Sequence, residues 1–226
     1  MAEVQTGDGR LGSGMANVLH LMNAGGLLPP GWADEVQAVA ETALARHAAR
    51  LEVDGVDVAV RVAPWTLPET GVLGYAPLPH FVDITLTPDN PHFAGGWRTE
   101  LPATLAHELH HARRWRGPVY GTTLLEALVS EGLAQHYEVG ERGEAPPYAR
   151  IDADLNGLWR RAEAELNSAD YGHPAWFFGS DAEGLPRWAG YALGYELVRR
   201  FLVREGGDAV TWVDAPAKRF RAAWEG

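Results

Sequence analysis

Apolar positions recur every three to four residues through "WADEVQAVAETALARHAARLEV", a spacing that predicts a long amphipathic helix over 32–53. The period then changes. "VDVAVRVAPW" (56–65) alternates apolar and polar residues, as a half-buried strand does, and "GVLGYAP" (71–77) and "HFVDITLTP" (80–88) continue the strand pattern around Pro77 and Pro79. Upstream, "NVLHLMNAGGLLPPG" (17–31) reads as a short helix ended by Gly25-Gly26, and "DNPHFAGGW" (89–97) reads as a loop. From about residue 100 the helical period dominates. One helix runs to about Trp115 and stops at Gly117-Pro118; a second spans 122–140; a third covers about 149–167. A Gly/Pro-rich aromatic connection fills 168–186, "RWAGYALGYELVRRF" (187–201) forms a further helix, and the tail after Gly206-Gly207 turns helical near its end. The expected architecture is α+β: a small sheet with helices in a lobe of about 14–117, a mainly helical lobe of about 118–226, one domain, and a loose polar tail over 1–13.

Composition narrows the chemistry. The 226 residues are 46% hydrophobic and include nine Trp, seven Tyr and six Phe, enough to bury a sizeable core. A net charge of −11 offers no basic face for nucleic acid or anionic membrane. No apolar run reaches spanning length, and the start lacks a secretory leader pattern, so a soluble cytoplasmic protein is expected. With no cysteine, disulfides, thiol nucleophiles and thiolate metal sites are excluded, and any metal must be held by imidazole and carboxylate.

That restriction bears on "TLAHELHHARRW" (104–115). On a helix, residues four apart share a face, so His107 and His111 can grip one ion with the backbone fixing their separation. Glu108 lies beside that face, placed to act on a water rather than to bind the metal: the H-E-x-x-H arrangement of two zinc ligands and a general base. His110 offers a competing pair with His107, three apart, but that pairing leaves Glu108 without a role. A third ligand should come from the next helix, which carries Glu126, Glu131, His136 and Glu138. Thr123-x-x-Glu126 reads as a capping box, which accounts for Glu126. Glu131 sits in an apolar stretch and precedes Gly132, a costly helical residue that permits close approach of another backbone; Glu131 is the expected ligand.

At these residues the chain resembles the gluzincin metallopeptidases. Thermolysin-like members place their ligand glutamate about twenty residues after the second histidine, as Glu131 stands here, and aminopeptidase-N-like members carry an "EGFA" close to "EGLA" at 131–134. The chain is most similar to a bacterial family of predicted zinc-dependent proteases that pairs "HExHH" and "EGLA" with "WFFG" and "PRWxGYxxGY". Here these are "HELHH" (107–111), "SEGLAQHY" (130–137), "HPAWFFG" (173–179) and "PRWAGYALGY" (186–195), and the likeness covers roughly 70–205. It implies a zincin-like fold, one zinc ion on His107, His111 and Glu131, and hydrolysis of peptide or protein substrates with Glu108 as base. Two features depart from the pattern. Gln135 stands where thermolysin-like enzymes use an Asp to orient the first histidine, and no Gly-x-Met-Glu-Asn strand is present to hold a free amino terminus.

Tetrahedral intermediates also need an oxyanion donor, which zincins often supply as Tyr or His from across the cleft; the candidates are Tyr191, Tyr195 and His173. Trp188, Tyr191, Tyr195 and Val198 equally make a core stripe, although Gly190 and Gly194 beside the tyrosines suit a close helix contact. Trp176, Phe177 and Phe178 read as core, with one of them free to line a pocket, and "GVLGYAP" is a candidate edge strand for an extended substrate. A hydrolase of non-peptide amides or esters, or a catalytically silent zinc-containing module, would share the same metal residues.

Overall fold

The fold comes from a computed structural model, which describes residues 14–225; the tail expected over 1–13 lies outside the described residues. The chain is α+β, with a mixed four-stranded sheet in its first half and a helical second half. Strands β1 (Val18–Met22), β2 (Asp57–Val62), β3 (Val72–Leu78) and β4 (Phe81–Leu86) lie in the order β1-β2-β4-β3. The first three in that order are parallel; β3 runs antiparallel to β4 and forms an edge. Helix α1 (Trp32–Leu51) links β1 to β2, as a parallel connection requires.

Alternation sorts the two faces of the sheet. Val58, Val60, Val82, Ile84 and Leu86 are fully buried, and with them are buried Val36, Ala40 and Leu44 of α1 and Phe93, Trp97, Leu101 and Leu105 of α2 (Phe93–Trp115). The opposite face carries polar residues, including Arg61, whose guanidinium bonds both oxygens of Asp83 at 2.8–3.1 Å.

Two expectations from the sequence are corrected here. Residues 18–22 form a strand rather than a helix: they pair in register with β2, from Val18 opposite Asp57 to Met22 opposite Arg61, and Val18, His20 and Met22 alternate outward. Helix α2 begins at Phe93, so part of the expected loop is its first turns; Phe93, Trp97 and Leu101, spaced four apart, are all fully buried and outweigh Gly95-Gly96 and Pro102. The strands β2, β3 and β4 and the helices α1, α3 (Leu124–Arg142) and α6 (Ala189–Glu205) lie where the periodicity puts them, although α3 ends at Gly143, φ +81°, rather than near Gly140. The helix expected over 149–167 shortens to α4 (Leu155–Ala162), and α5 (His173–Phe178) occupies part of the aromatic connection. The tail closes in short 3-10 turns at 217–219 and 221–223. No helix among the described residues is long and apolar enough to cross a membrane.

Helices α3 and α6 cross at glycine. A Cβ on Gly132 would collide with the Gly194 carbonyl, and one on Gly194 with the Leu128 carbonyl, so only this pair permits the approach. The Thr123–Glu126 capping box starts α3, with the Glu126 amide donating to Thr123 Oγ1 and the Thr123 amide donating to Glu126 Oε2.

Candidate metal centre and cleft

Helix α2 lies beneath the edge strand, with α3 against its other side. One turn of α2 places His107 and His111 toward α3, their Nε2 atoms 3.0 Å apart. Glu131 of α3 meets them: Oε2 is 3.2 Å from His107 Nε2 and Oε1 is 3.5 Å from His111 Nε2. All three side chains are buried, and one ligand atom from each lies within 4.8 Å of the others. His107 Nδ1 is 3.1 Å from Glu138 Oε2, so its N–H donates there and Nε2 is the atom that faces the convergence point. Lone pairs and a carboxylate turned on one point repel unless a cation or a proton sits among them. Two imidazoles and one carboxylate are a donor set that suits zinc. Burial raises the Glu131 carboxyl, but the adjoining His111 and His107 outweigh it and hold that group well below the usual carboxylate range.

The surrounding contacts fix these rotamers. The Tyr120 hydroxyl donates to Glu131 Oε1 at 2.8 Å, and the Tyr148 hydroxyl donates to Glu138 at 2.8 Å. Glu138 is fully buried two turns after Glu131, on the same face of α3. It makes the contact to His107 that the resemblance places at Gln135. Gln135 turns the other way and donates from Nε2 to the Tyr191 carbonyl at 3.1 Å, tying α3 to α6. The i, i+7 relation to Glu131 was the available signal for Glu138, although spacing alone does not name its partner.

The other candidates divide by place. His110 turns into the core, its Nε2–H donating to the Ala209 carbonyl at 3.1 Å. His136 donates from Nε2 to the Tyr195 carbonyl at 2.9 Å and stacks on the Tyr195 ring at 4.1 Å, which keeps both residues out of the cleft. Glu126 is spent on its cap. Glu108 faces the edge strand, and a Cβ on Gly74 would sit 2.5 Å from its Cγ and Oε1. Burial raises its carboxyl pKa; His107 and His111 oppose the shift, and Glu131 and Glu138 add to it.

A cleft of about 590 Å³ opens over this cluster, with Glu108, His107, His111, Glu131, Tyr191 and His173 in its lining. Tyr191 makes no side-chain hydrogen bond among the described residues, and burial together with Glu131, Glu108 and Glu138 pushes its phenol well above the ordinary value, so it stays a donor. His173 Nδ1 lies 2.7 Å from the Tyr171 hydroxyl, a hydrogen bond that fixes the ring in the cleft. Trp176 and Phe177 are fully buried, whereas Phe178 is exposed at the cleft.

Edge strand β3 forms one wall. The Thr87 amide donates to the Gly71 carbonyl at 2.9 Å, which sets the ladder phase: Leu73 and Tyr75 bond to β4, while Val72, Gly74 and Ala76 face outward. Val72 is capped by its own neighbour, its N–H donating to Thr70 Oγ1 at 3.2 Å and its carbonyl accepting from the same hydroxyl at 3.0 Å. The Ala76 carbonyl accepts from Trp115 Nε1 at 2.9 Å. Gly74 presents both of its backbone groups to the cleft.

A mixed sheet thus carries, under an open edge, a buried two-helix His/His/Glu cluster that could hold a metal ion. Residues 36–222 match the family described as predicted Zn-dependent protease (DUF2268), and the chain belongs to that family. No curated protein matches it.

Proposed function

We propose that the protein is a zinc-dependent peptidase of the gluzincin type on a zincin-like fold. The observation that carries this reading is the convergence of His107, His111 and Glu131 from two helices, with Glu108 beside them facing a free backbone edge. These three residues would hold the ion, which when bound would supply a Lewis acid to polarise the scissile carbonyl and acidify a water. A peptide lies extended along β3, pairing with the N–H and C=O of Gly74, so that its carbonyl passes over the cluster. Glu108 takes the proton of the attacking water and returns it to the leaving amine. Tyr191 and His173 line the same cleft; the Tyr191 hydroxyl, and His173 Nε2 where Nδ1 accepts from Tyr171, donate to the oxyanion that develops. Glu138 and Tyr120 act on the ligands, holding His107 and Glu131 in place.

The test pairs metal analysis with digestion of a mixed peptide library. The purified protein should carry about one zinc per chain and cleave peptides; Glu108→Gln should keep the zinc and lose at least ~100-fold in turnover. An active Glu108→Gln protein removes the base role, and cleavage of esters or acylamides without any cleavage of peptides reassigns the substrate.

A further inference from the structure

Past His107 and Glu108, on the side of Val72, the cleft narrows into an arm of about 80 Å³. We propose that this arm is a specificity pocket for one uncharged aliphatic side chain, no bulkier than leucine, of the peptide being cut. The inference rests on the peptidase reading and adds the substrate preference.

Three observations carry it. The first is size and polarity. The walls are Leu67, Val72 and Leu73 from the sheet half and Tyr148, Trp188 and Tyr191 from the helical half. The volume is about half of the roughly 150 Å³ that admits a benzene ring in a protein core, so the arm suits a short aliphatic side chain better than a six-carbon ring.

The second is charge. Glu100 and Arg142 reach the arm, but both Glu100 oxygens lie at 2.5 Å from Arg142 Nη1, and both side chains are largely buried. The pair is matched within the wall, and Glu108, the other carboxyl of the lining, is committed to the water under the peptidase reading. A charged substrate side chain, or a charged chain end, would lose its water and find no further counter-ion there.

The third concerns the main chain. Thr70 already occupies the outward N–H and C=O of Val72, so the peptide backbone cannot continue pairing past Gly74 in this direction. What enters the arm is a side chain. The walls are also tied together: Arg187 stacks over the Trp188 ring at 4.0 Å and bonds Glu69 of the opposite wall at 2.8 Å. Trp188 closes the arm from a left-handed backbone, φ +69°.

Zinc-loaded protein is incubated with a mixed peptide library and the cut sites are read by mass spectrometry. Val, Ile or Leu should be favoured at one fixed position beside the bond, by at least ~10-fold over Phe, Trp, Lys and Glu. Trp188→Gly suits the backbone and removes the closing ring; it should raise kcat/KM for Phe relative to Leu at least ~10-fold. Leu67→Trp, at the rim, should fill the arm and turn the preference toward Ala. Equal cleavage of aromatic, charged and aliphatic residues, or a Phe/Leu ratio that neither variant moves, overturns the proposal. A library left wholly uncut sinks the peptidase reading instead. The pocket is then read by NMR titration with N-acetyl-leucinamide and N-acetyl-phenylalaninamide. Preference for the leucine compound, reversed in Trp188→Gly, upholds it, and equal binding overturns it.

Discussion

Glu138 shows how much one buried carboxylate decides. It accepts from His107 Nδ1 and from Tyr148, and it has no exposed surface, so its charge is answered only by these donors and by Arg142 at 3.8 Å. Glu138→Gln keeps an acceptor but removes the charge that makes the imidazole a stronger ligand; zinc affinity should fall about 10- to 100-fold, measured by competition with a chromophoric chelator. His47 makes a second prediction. Burial first, then Arg46 and Arg50, lower its pKa from 6.5 to about 4, and Glu141, 3.3 Å from Nε2, lacks hydrogen-bond geometry and does not offset them. Because the folded pKa lies below the unfolded one, the unfolded chain takes up the proton first. Stability is therefore full above about pH 6.5 and is lost as pH falls toward 4, by about 3 kcal/mol from this residue. His47→Gln, which can still bond the Tyr137 hydroxyl, should flatten the fall in urea midpoint between pH 7 and 4.5.

Elements were legible where period and punctuation agreed. The capping box at Thr123 and the strands around Pro77 and Pro79 follow from residues whose physical demands are local, and Gly132 and Gly194 marked close approaches without naming each other. Where a segment answers to distant partners, local reading failed. Val18–Met22 is a strand because β2 pairs with it, and Phe93–Trp97 is helical because three large side chains need one face under the sheet. The candidate site shows the same division. His107, Glu108, His111 and Glu131 were singled out from spacing and family likeness, and the chain brings them together; Tyr120 and Tyr148, which hold Glu131 and Glu138, come from connecting segments with no periodic signal. The α3–α6 crossing can be probed directly. Gly194→Ala drives a methyl group into the Leu128 carbonyl and should cost about 1–3 kcal/mol, seen as a lower denaturant midpoint.

At the scale of the whole molecule, the cleft exists because a sheet edge stops against the helix that carries the candidate metal-binding histidines. Gly74 sets that distance. Gly74→Ala would press its Cβ on Glu108 while leaving His107, His111 and Glu131 untouched; zinc content should stay near one per chain while turnover drops at least ~100-fold, and a variant that loses both would mean that the edge supports the metal as well. A strand with one open edge invites pairing with its own copies. Thr70 over Val72, Trp115 on the Ala76 carbonyl and the missing N–H of Pro77 shorten the sticky stretch to little more than one glycine. At β3, then, the opening that would admit a peptide under the proposed reading is too brief to seed stacking of sheet upon sheet into fibrils.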